Sequence, residues 1–298
     1  LETEPEKLSV REKLFFKIAT AEKEYQLTIT PTRELVEELG KRNVDVFTFI
    51  ERKWCCPIEN PSKSWLKAED NIGLLRVTTY DEWVKLIGKK TRNMIRKAEK
   101  SGVKTEVVEP SEKLAEGIWK IYNETPIRQE RAFPHYGESM QTIKKGVLSA
   151  QDCTFIGAFF QDDLAGFIQL IYGNNIAIIS QILSLQKFWD KAVNNALVAR
   201  AVEVCSNRGK RWLMYGRMGN HPSLDKFKQN NGFIKFNLNR YFIPLTRKGK
   251  IAIKIGLHRD IQDVVPQSIK KSLIPIYNWL SRIKMRAKLF SAKLDKAS

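Results

Sequence analysis

Long apolar runs are missing from this 298-residue chain. Its unbroken apolar stretches last only a few residues, far short of the roughly 20 that a membrane-crossing helix needs. Cysteine is scarce too: Cys55, Cys56, Cys153 and Cys205 form no Cys-x-x-Cys pair, so neither a zinc site nor a disulfide framework is expected. Leu1 to Glu12 alternates in charge and has no apolar centre, so it is not expected to be a signal or transit peptide. Spacing places no Ser-His-Asp or Cys-His constellation, and no metal is expected. From these absences a reduced, cytoplasmic protein is expected.

Acid is the other shortage. Asp and Glu number 33 against 51 Lys and Arg, a net charge of +18, and the excess is uneven. Residues 1–40 hold nine Glu and six Lys or Arg, whereas 247–298 hold thirteen Lys or Arg and three Asp. A basic excess gathered at one end fits a polyanionic partner, tRNA or DNA, with an anionic membrane as the alternative. The candidate contacts are Lys85, Lys89, Arg92, Arg96 and Lys100, spaced to share one helical face, and Arg282, Lys284 and Arg286 in an amphipathic tail.

What is abundant is core material: 43% of residues are hydrophobic, with seven Trp, fifteen Phe and eight Tyr, so wholesale disorder is excluded. Lys13–Ala19 reads as a short helix or strand. A helix is expected behind Thr30-Pro31-Thr32, and strands over Val44–Ile50 and Ile72–Thr78. Thr79-Tyr80-Asp81-Glu82 is a capping-box pattern opening a helix toward Gly102, with Gly88 as a break point. Strands over 154–160, 164–172 and 176–183 follow as hairpins with Asp and Asn-rich turns. A long helix is expected from about Leu185 to Asn207, with Trp189, Ala192 and Val193 inward. A strand at 211–215, a short helix behind His221-Pro222 and a last strand at 233–243 complete an α+β pattern.

Three segments carry a family resemblance. Lys90-Thr91-Arg92-Asn93-Met94-Ile95-Arg96-Lys97-Ala98 is a basic helix. Phe155-Ile156-Gly157-Ala158 through Leu164-Ala165-Gly166 is a hairpin with a hydrophobic-Gly strand. Asn220, followed by Phe227-Lys228-Gln229-Asn230-Asn231-Gly232-Phe233, is a Gly-Phe ending. In this order they resemble the GNAT acyltransferase superfamily, its FemAB-like branch in particular, over about residues 72–245. The resemblance implies a mostly antiparallel central sheet flanked by helices. An N-terminal extension would occupy 1–71, the acyltransferase domain 72–246, and a basic helical extension 247–298.

It also implies transfer of an acyl or aminoacyl group, from acyl-CoA or aminoacyl-tRNA, to an amine or nucleic-acid acceptor. The other classes weighed are a nucleic-acid-binding protein on this scaffold and a peripheral membrane enzyme acting on anionic lipid precursors. In such enzymes a Gly-rich turn before the long helix grips pyrophosphate. Here the turn holds no glycine, and the donor-binding candidates are Ile182, Leu183, Ser184, Lys187, Lys191, Ala192 and Asn194. The family often places an acidic Tyr four residues before the Gly of the ending. This chain has Lys228 there, which ordinary burial statistics read as a surface lysine.

The most site-like loop runs from Thr125 to Gly137. In it His135 is the candidate general base, an imidazole ordinarily titrating near neutrality. Arg128 is a candidate catalytic clamp and Arg131 and Tyr136 candidate substrate contacts, with Glu124, Glu130 and Glu138 as the arginines' alternative partners. The second loop, Tyr215 to His221, offers Tyr215 and Asn220 as catalytic candidates and Arg217 for an anion. His221 reads there as a helix cap.

Overall fold

A computed structural model of the protein describes residues 8–13, 15–21, 24, 31–51, 62, 64–128, 131–219 and 221–258, with backbone only at 131 and 132. They divide into two compact units: one runs up to Gly73 and resumes at Lys235, the other is Leu74–Ile234.

The first unit begins with two strands where Lys13–Ala19 had read as one element. β1 (Leu8–Lys13) and β2 (Phe16–Ala21) pair antiparallel, Lys13 opposite Phe16. α1 (Arg33–Lys41) starts as expected, with the Thr32 hydroxyl accepting the Leu35 N–H at 3.2 Å. Leu35 and Leu39 bury its apolar edge. β3 (Val46–Ile50) lies parallel to β2 and is buried throughout. β4 (Leu66–Arg76) begins well before the expected Ile72 and carries the chain into the second unit.

There α2 (Tyr80–Leu86) opens on a complete capping box. Thr79 Oγ1 accepts the Glu82 N–H at 3.2 Å, and the Glu82 carboxylate accepts the Thr79 N–H at 3.4 Å. Gly88 does break the helix, so α3 (Lys89–Lys100) is separate. The basic row is therefore corrected in one member. Arg92 donates to the carbonyls of Val84 at 3.1 Å and Ile87 at 2.6 Å, closing the open end of α2 instead of lining the surface.

β5 (Val103–Val108) and α4 (Glu112–Tyr122) follow, then a two-residue hairpin of β6 (Ile127–Arg128) and β7 (Arg131–Ala132), then α5 (Met140–Leu148). β8 (Cys153–Phe160), β9 (Asp163–Tyr172) and β10 (Ile176–Ser184) are the expected antiparallel hairpins, with β5 paired to β8. Gly166 stands opposite Ser184, where a Cβ would lie 2.9 Å from the Leu183 carbonyl oxygen and from Val193, so only glycine lets these strands and the next helix meet.

The long helix is two pieces. A tight helical turn, Gln186–Lys191, ends at Ala192 in the left-handed region (φ 55°), and α6 (Val193–Asn207) starts there. An L-residue in that conformation costs about 1–2 kcal/mol, which a glycine would not. The turn also reverses one expectation: Trp189 is 58% exposed, and Phe188 takes the inward place at 8%. β11 (Trp212–Met214) runs parallel to β10 and antiparallel to the end of β4. α7 (Pro222–Asn230) is capped by His221, whose ring accepts the Leu224 N–H at 3.4 Å.

β12 (Ile234–Pro244) pairs antiparallel with β3, and α8 (Arg247–Lys254) follows. In the first unit α8 buries Ala252 completely, and Lys248 pairs with Asp45 at 3.3 Å. The start of the basic tail is thus docked. Arg282, Lys284, Arg286, Cys55 and Cys56 lie outside the described residues. The fold is α+β with mostly antiparallel sheet and flanking helices, as the sequence pattern implied. Among the described residues no helix is long and apolar enough to cross a membrane.

Candidate functional site

All the site candidates that the structure describes lie within the second unit, and the turn before α6 and the loop that starts at Tyr215 follow the ends of β10 and β11. Parallel pairing joins Ile176–Ile178 to Trp212–Met214 and goes no further. β10 continues to Ser184, while the chain leaves β11 at Tyr215. The register of β10 against β9 shifts between Ile179 and Gln181, a bulge that gives Gln181 a direction plain alternation would not.

His135 meets that bulge. Its Nδ1 is 3.0 Å from Glu138 Oε1, and its Nε2 is 3.4 Å from Gln181 Nε2. Gln181 Oε1 accepts the hydroxyl of Tyr122 from α4. The imidazole stacks on the Tyr122 ring at 4.6 Å and 21°, with Phe133 edge-on at 5.4 Å. Burial pushes the Tyr122 phenol up to about 12, so it remains a donor. The loop is held in place: Gly137 N–H donates to Asn123 Oδ1 at 3.0 Å, and Trp119 Nε1 donates to the Glu138 carbonyl at 3.2 Å. A carboxylate on one imidazole nitrogen and an open-ended contact on the other is the arrangement of a positioned base.

Lys228 overturns its surface reading, for it is 2% exposed. The loop leaving β11 wraps it. Nζ donates to the Arg217 carbonyl at 2.8 Å and lies 4.5 Å from the centre of the Tyr215 ring, which Phe233 meets edge-on at 5.7 Å. Asp225 instead accepts the Gly219 N–H at 2.8 Å, fixing the loop. Burial lowers Lys228 to about 8, against the opposing pull of Asp225. Burial also pushes the Tyr215 phenol upward, which leaves its ring as the wall of the lysine's cage.

The lowered value has a signed consequence. Between about pH 8 and the ordinary 10.5 the unfolded chain binds the proton and the folded chain does not, so this group's contribution to stability rises with pH through that window. Below pH 8 both states hold the proton and the burial penalty is constant. The stability of Lys228→Met minus that of the parent is therefore expected to be largest at pH 7 and to fall steadily from pH 8 to 10. Paired urea melts at four pH values measure it. A difference that stays flat would mean the ammonium is not penalised.

The turn before α6 departs from a pyrophosphate cradle. Its first N–H, of Gln186, already donates to an internal anion, Glu124 Oε1, at 2.7 Å. Glu124 is in turn held by Arg128 Nη2 at 3.2 Å. Arg128 also donates to the carbonyls of Ser184 at 3.0 Å and Ile121 at 2.7 Å, so its guanidinium is engaged within the protein, where an open carboxylate or phosphate clamp had been expected. Ser184 is buried, Lys187 pairs with Asp163 at 3.1 Å, and Lys191 lies over the Phe160 ring at 4.5 Å. Asn194 Oδ1 is buried without a hydrogen-bond partner. A carboxylate and an aromatic turn in this place do not fit a bound pyrophosphate.

Of the remaining candidates, Tyr136 is half-buried against the core of this unit, as are Ile182 and Leu183, and Arg217 is half-buried beside Lys228. The side chain of Arg131, and Asn220 altogether, are outside the described residues. Lys85, Lys89, Arg96 and Lys100 are exposed. Sequence reasoning passed over Tyr122. The signal that could have found it is its partner Gln181, a polar residue in an otherwise apolar strand.

No family model matches the chain, and no curated protein does. Solved structures do. FemX aligns with a TM-score of 0.57 at 10% identity, over 84% of this chain and 86% of that one. L-PGS from Bacillus licheniformis gives 0.56 at 14% identity, over 83% of each chain. A C-terminal domain from Agrobacterium fabrum, described as that of a lysylphosphatidylglycerol synthetase, gives 0.56 at 12% identity, again over 83% of each. The likeness is one of fold alone, the fold seen in FemX and L-PGS.

Proposed function

We propose, on the fold shared with FemX and L-PGS, that this chain is a transferase in which an amine attacks an activated acyl or aminoacyl carbonyl. The observation that carries the reading is the Glu138–His135 pair beside the bulge of β10. His135 Nε2 takes the proton that the amine loses on attack, and Glu138 holds Nδ1 and stabilises the imidazolium. Lys228, its value lowered to about 8, supplies the proton that the leaving oxygen or sulfur gains. It stands where the family resemblance puts a tyrosine for that task. Positioning supplies the rest.

For the donor, the Glu124-blocked turn favours an aminoacyl ester carried on tRNA over acyl-CoA. The fold neighbour described as a lysylphosphatidylglycerol synthetase is named for a lysyl-bearing product, which favours an aminoacyl over an acetyl group as the one transferred. The basic surface then serves the RNA. An acyl-CoA enzyme, or an enzyme at an anionic membrane, is separated from this reading by one series of melts. Bulk aminoacyl-tRNA is expected to raise the melting temperature by several degrees, since a ligand at a hundred times its Kd adds about 2.7 kcal/mol. Acetyl-CoA is expected to leave it unchanged. Stabilisation by acetyl-CoA alone would overturn the donor, and stabilisation by anionic vesicles alone would move the protein to the membrane.

A further inference from the structure

We infer that Tyr122 and Gln181 are positioning residues that keep His135 in its neutral, proton-accepting form against the pull of Glu138. The inference rests on the reading of His135 as the base, but it concerns the ring itself and is measured without turnover.

A carboxylate 3.0 Å from Nδ1 favours the imidazolium. The other ring nitrogen decides the matter. Gln181 is an amide, with donors on one side and an acceptor on the other. Its Oε1 accepts the Tyr122 hydroxyl, and Tyr122 is a buried phenol that stays protonated, so the acceptor side is taken. The NH2 side is thereby turned to His135 Nε2, at 3.4 Å. A donor can meet only a lone pair there. The single ring proton belongs on Nδ1, facing Glu138, and Nε2 is left as the base.

Protonating Nε2 sets two donors against each other. The conflict is relieved when the Gln181 amide turns over, so that Oε1 accepts the new Nε2–H and the NH2 faces Tyr122 Oη. The tyrosine hydroxyl must then give up its own hydrogen bond and point elsewhere. This cost applies only to the charged ring. In the transfer step the balance is simple: an N–H bond of the attacking amine breaks, an Nε2–H bond forms, and no other reactant is needed. The contact to Nε2 is long enough for an incoming amine to displace it. The titratable groups that meet the ring are Glu138 from the loop and Tyr122 from α4. Its remaining described contacts are Phe133 and Gln181.

The test is a pH titration of the histidine ring nitrogens by NMR in the 15N-labelled full chain, comparing parent, Gln181→Leu and Tyr122→Phe. Tyr122→Phe frees the amide to turn over at no cost, so the His135 midpoint is expected to move up by about one unit, the size of a hydrogen bond to a charged group. Gln181→Leu removes the opposing donor but offers no acceptor, so a smaller upward move is expected. Both variants delete polar atoms without adding bulk, and a thermal melt of each checks that it folds. Midpoints equal to the parent's in both, or a downward move in either, would overturn the inference. If the midpoints move as expected while transfer by the parent proves independent of His135, the relay stands and the catalytic reading falls.

Discussion

Replacing His135 by Phe is expected to lower transfer by a factor of about 10²–10⁴, the range that a positioned base contributes, while the melting temperature changes by no more than a few degrees. The choice of phenylalanine matters. The imidazole is stacked on Tyr122 at 4.6 Å and meets the edge of Phe133 at 5.4 Å, and a phenyl ring keeps both contacts. Alanine would remove them, worth up to about 1 kcal/mol each, and mix a packing loss with the chemical one. What phenylalanine removes is the Nδ1 hydrogen bond to Glu138 and the lone pair at Nε2. Glu138→Gln should lose less, because an amide oxygen still accepts Nδ1–H but no longer stabilises the imidazolium. Steady-state transfer from aminoacyl-tRNA to hydroxylamine, a simple amine-like nucleophile, measures both. Parent-like turnover in His135→Phe would make the Glu138–His135 pair a loop fastening and nothing more.

How much of this was written in the chain depends on the range of the interactions involved. The Thr79–Glu82 box, the break at Gly88 and the hairpins between Cys153 and Ser184 depend on neighbours in sequence, and they were legible. Arg92 was not: its spacing put it on a basic face, yet the break at Gly88 brings two carbonyls of the preceding helix within its reach. Lys228 sits on a nine-residue helix of low apolar content, and nothing local predicts burial. Its cage comes from Tyr215 and Arg217, more than ten residues earlier, after the chain has left β11. Trp189 failed for the opposite reason, since a regular helix was assumed where the left-handed Ala192 forces a tighter turn. Of the site, His135 was chosen from its loop; its partner Gln181 depends on a strand bulge that no periodicity announces.

The basic face should fail in a way that marks its partner. Between Lys85 and Lys100 the chain has seven cations and a single acid, Glu99. With Arg92 turned inward, Lys85, Lys89, Lys90, Arg96, Lys97 and Lys100 are all exposed. The ion pairs among the described residues lie elsewhere, as on α1, where Arg33 meets Glu37 at 3.0 Å and Arg42 meets Glu38 at 2.7 Å. Lys89 and Lys90 moreover occupy the first turn of α3, where the helix dipole is positive and a cation costs about 0.3–1 kcal/mol. Among the described residues no acid pairs with these cations, whereas an RNA backbone would. Changing Lys89, Lys90, Arg96 and Lys97 to Gln is expected to weaken tRNA binding about 10²–10³-fold at 0.15 M salt. The slope of log K against log salt should also become shallower by roughly three, at about 0.7–0.9 for each phosphate no longer neutralised. Because repulsion and an unfavourable dipole interaction are removed together, the melting temperature should hold or rise. Filter binding across a salt series, with a melt of the same preparation, reads both quantities. Unchanged affinity and slope would release the face from any role with RNA, and loss of binding to anionic vesicles in place of tRNA would assign it to a membrane surface.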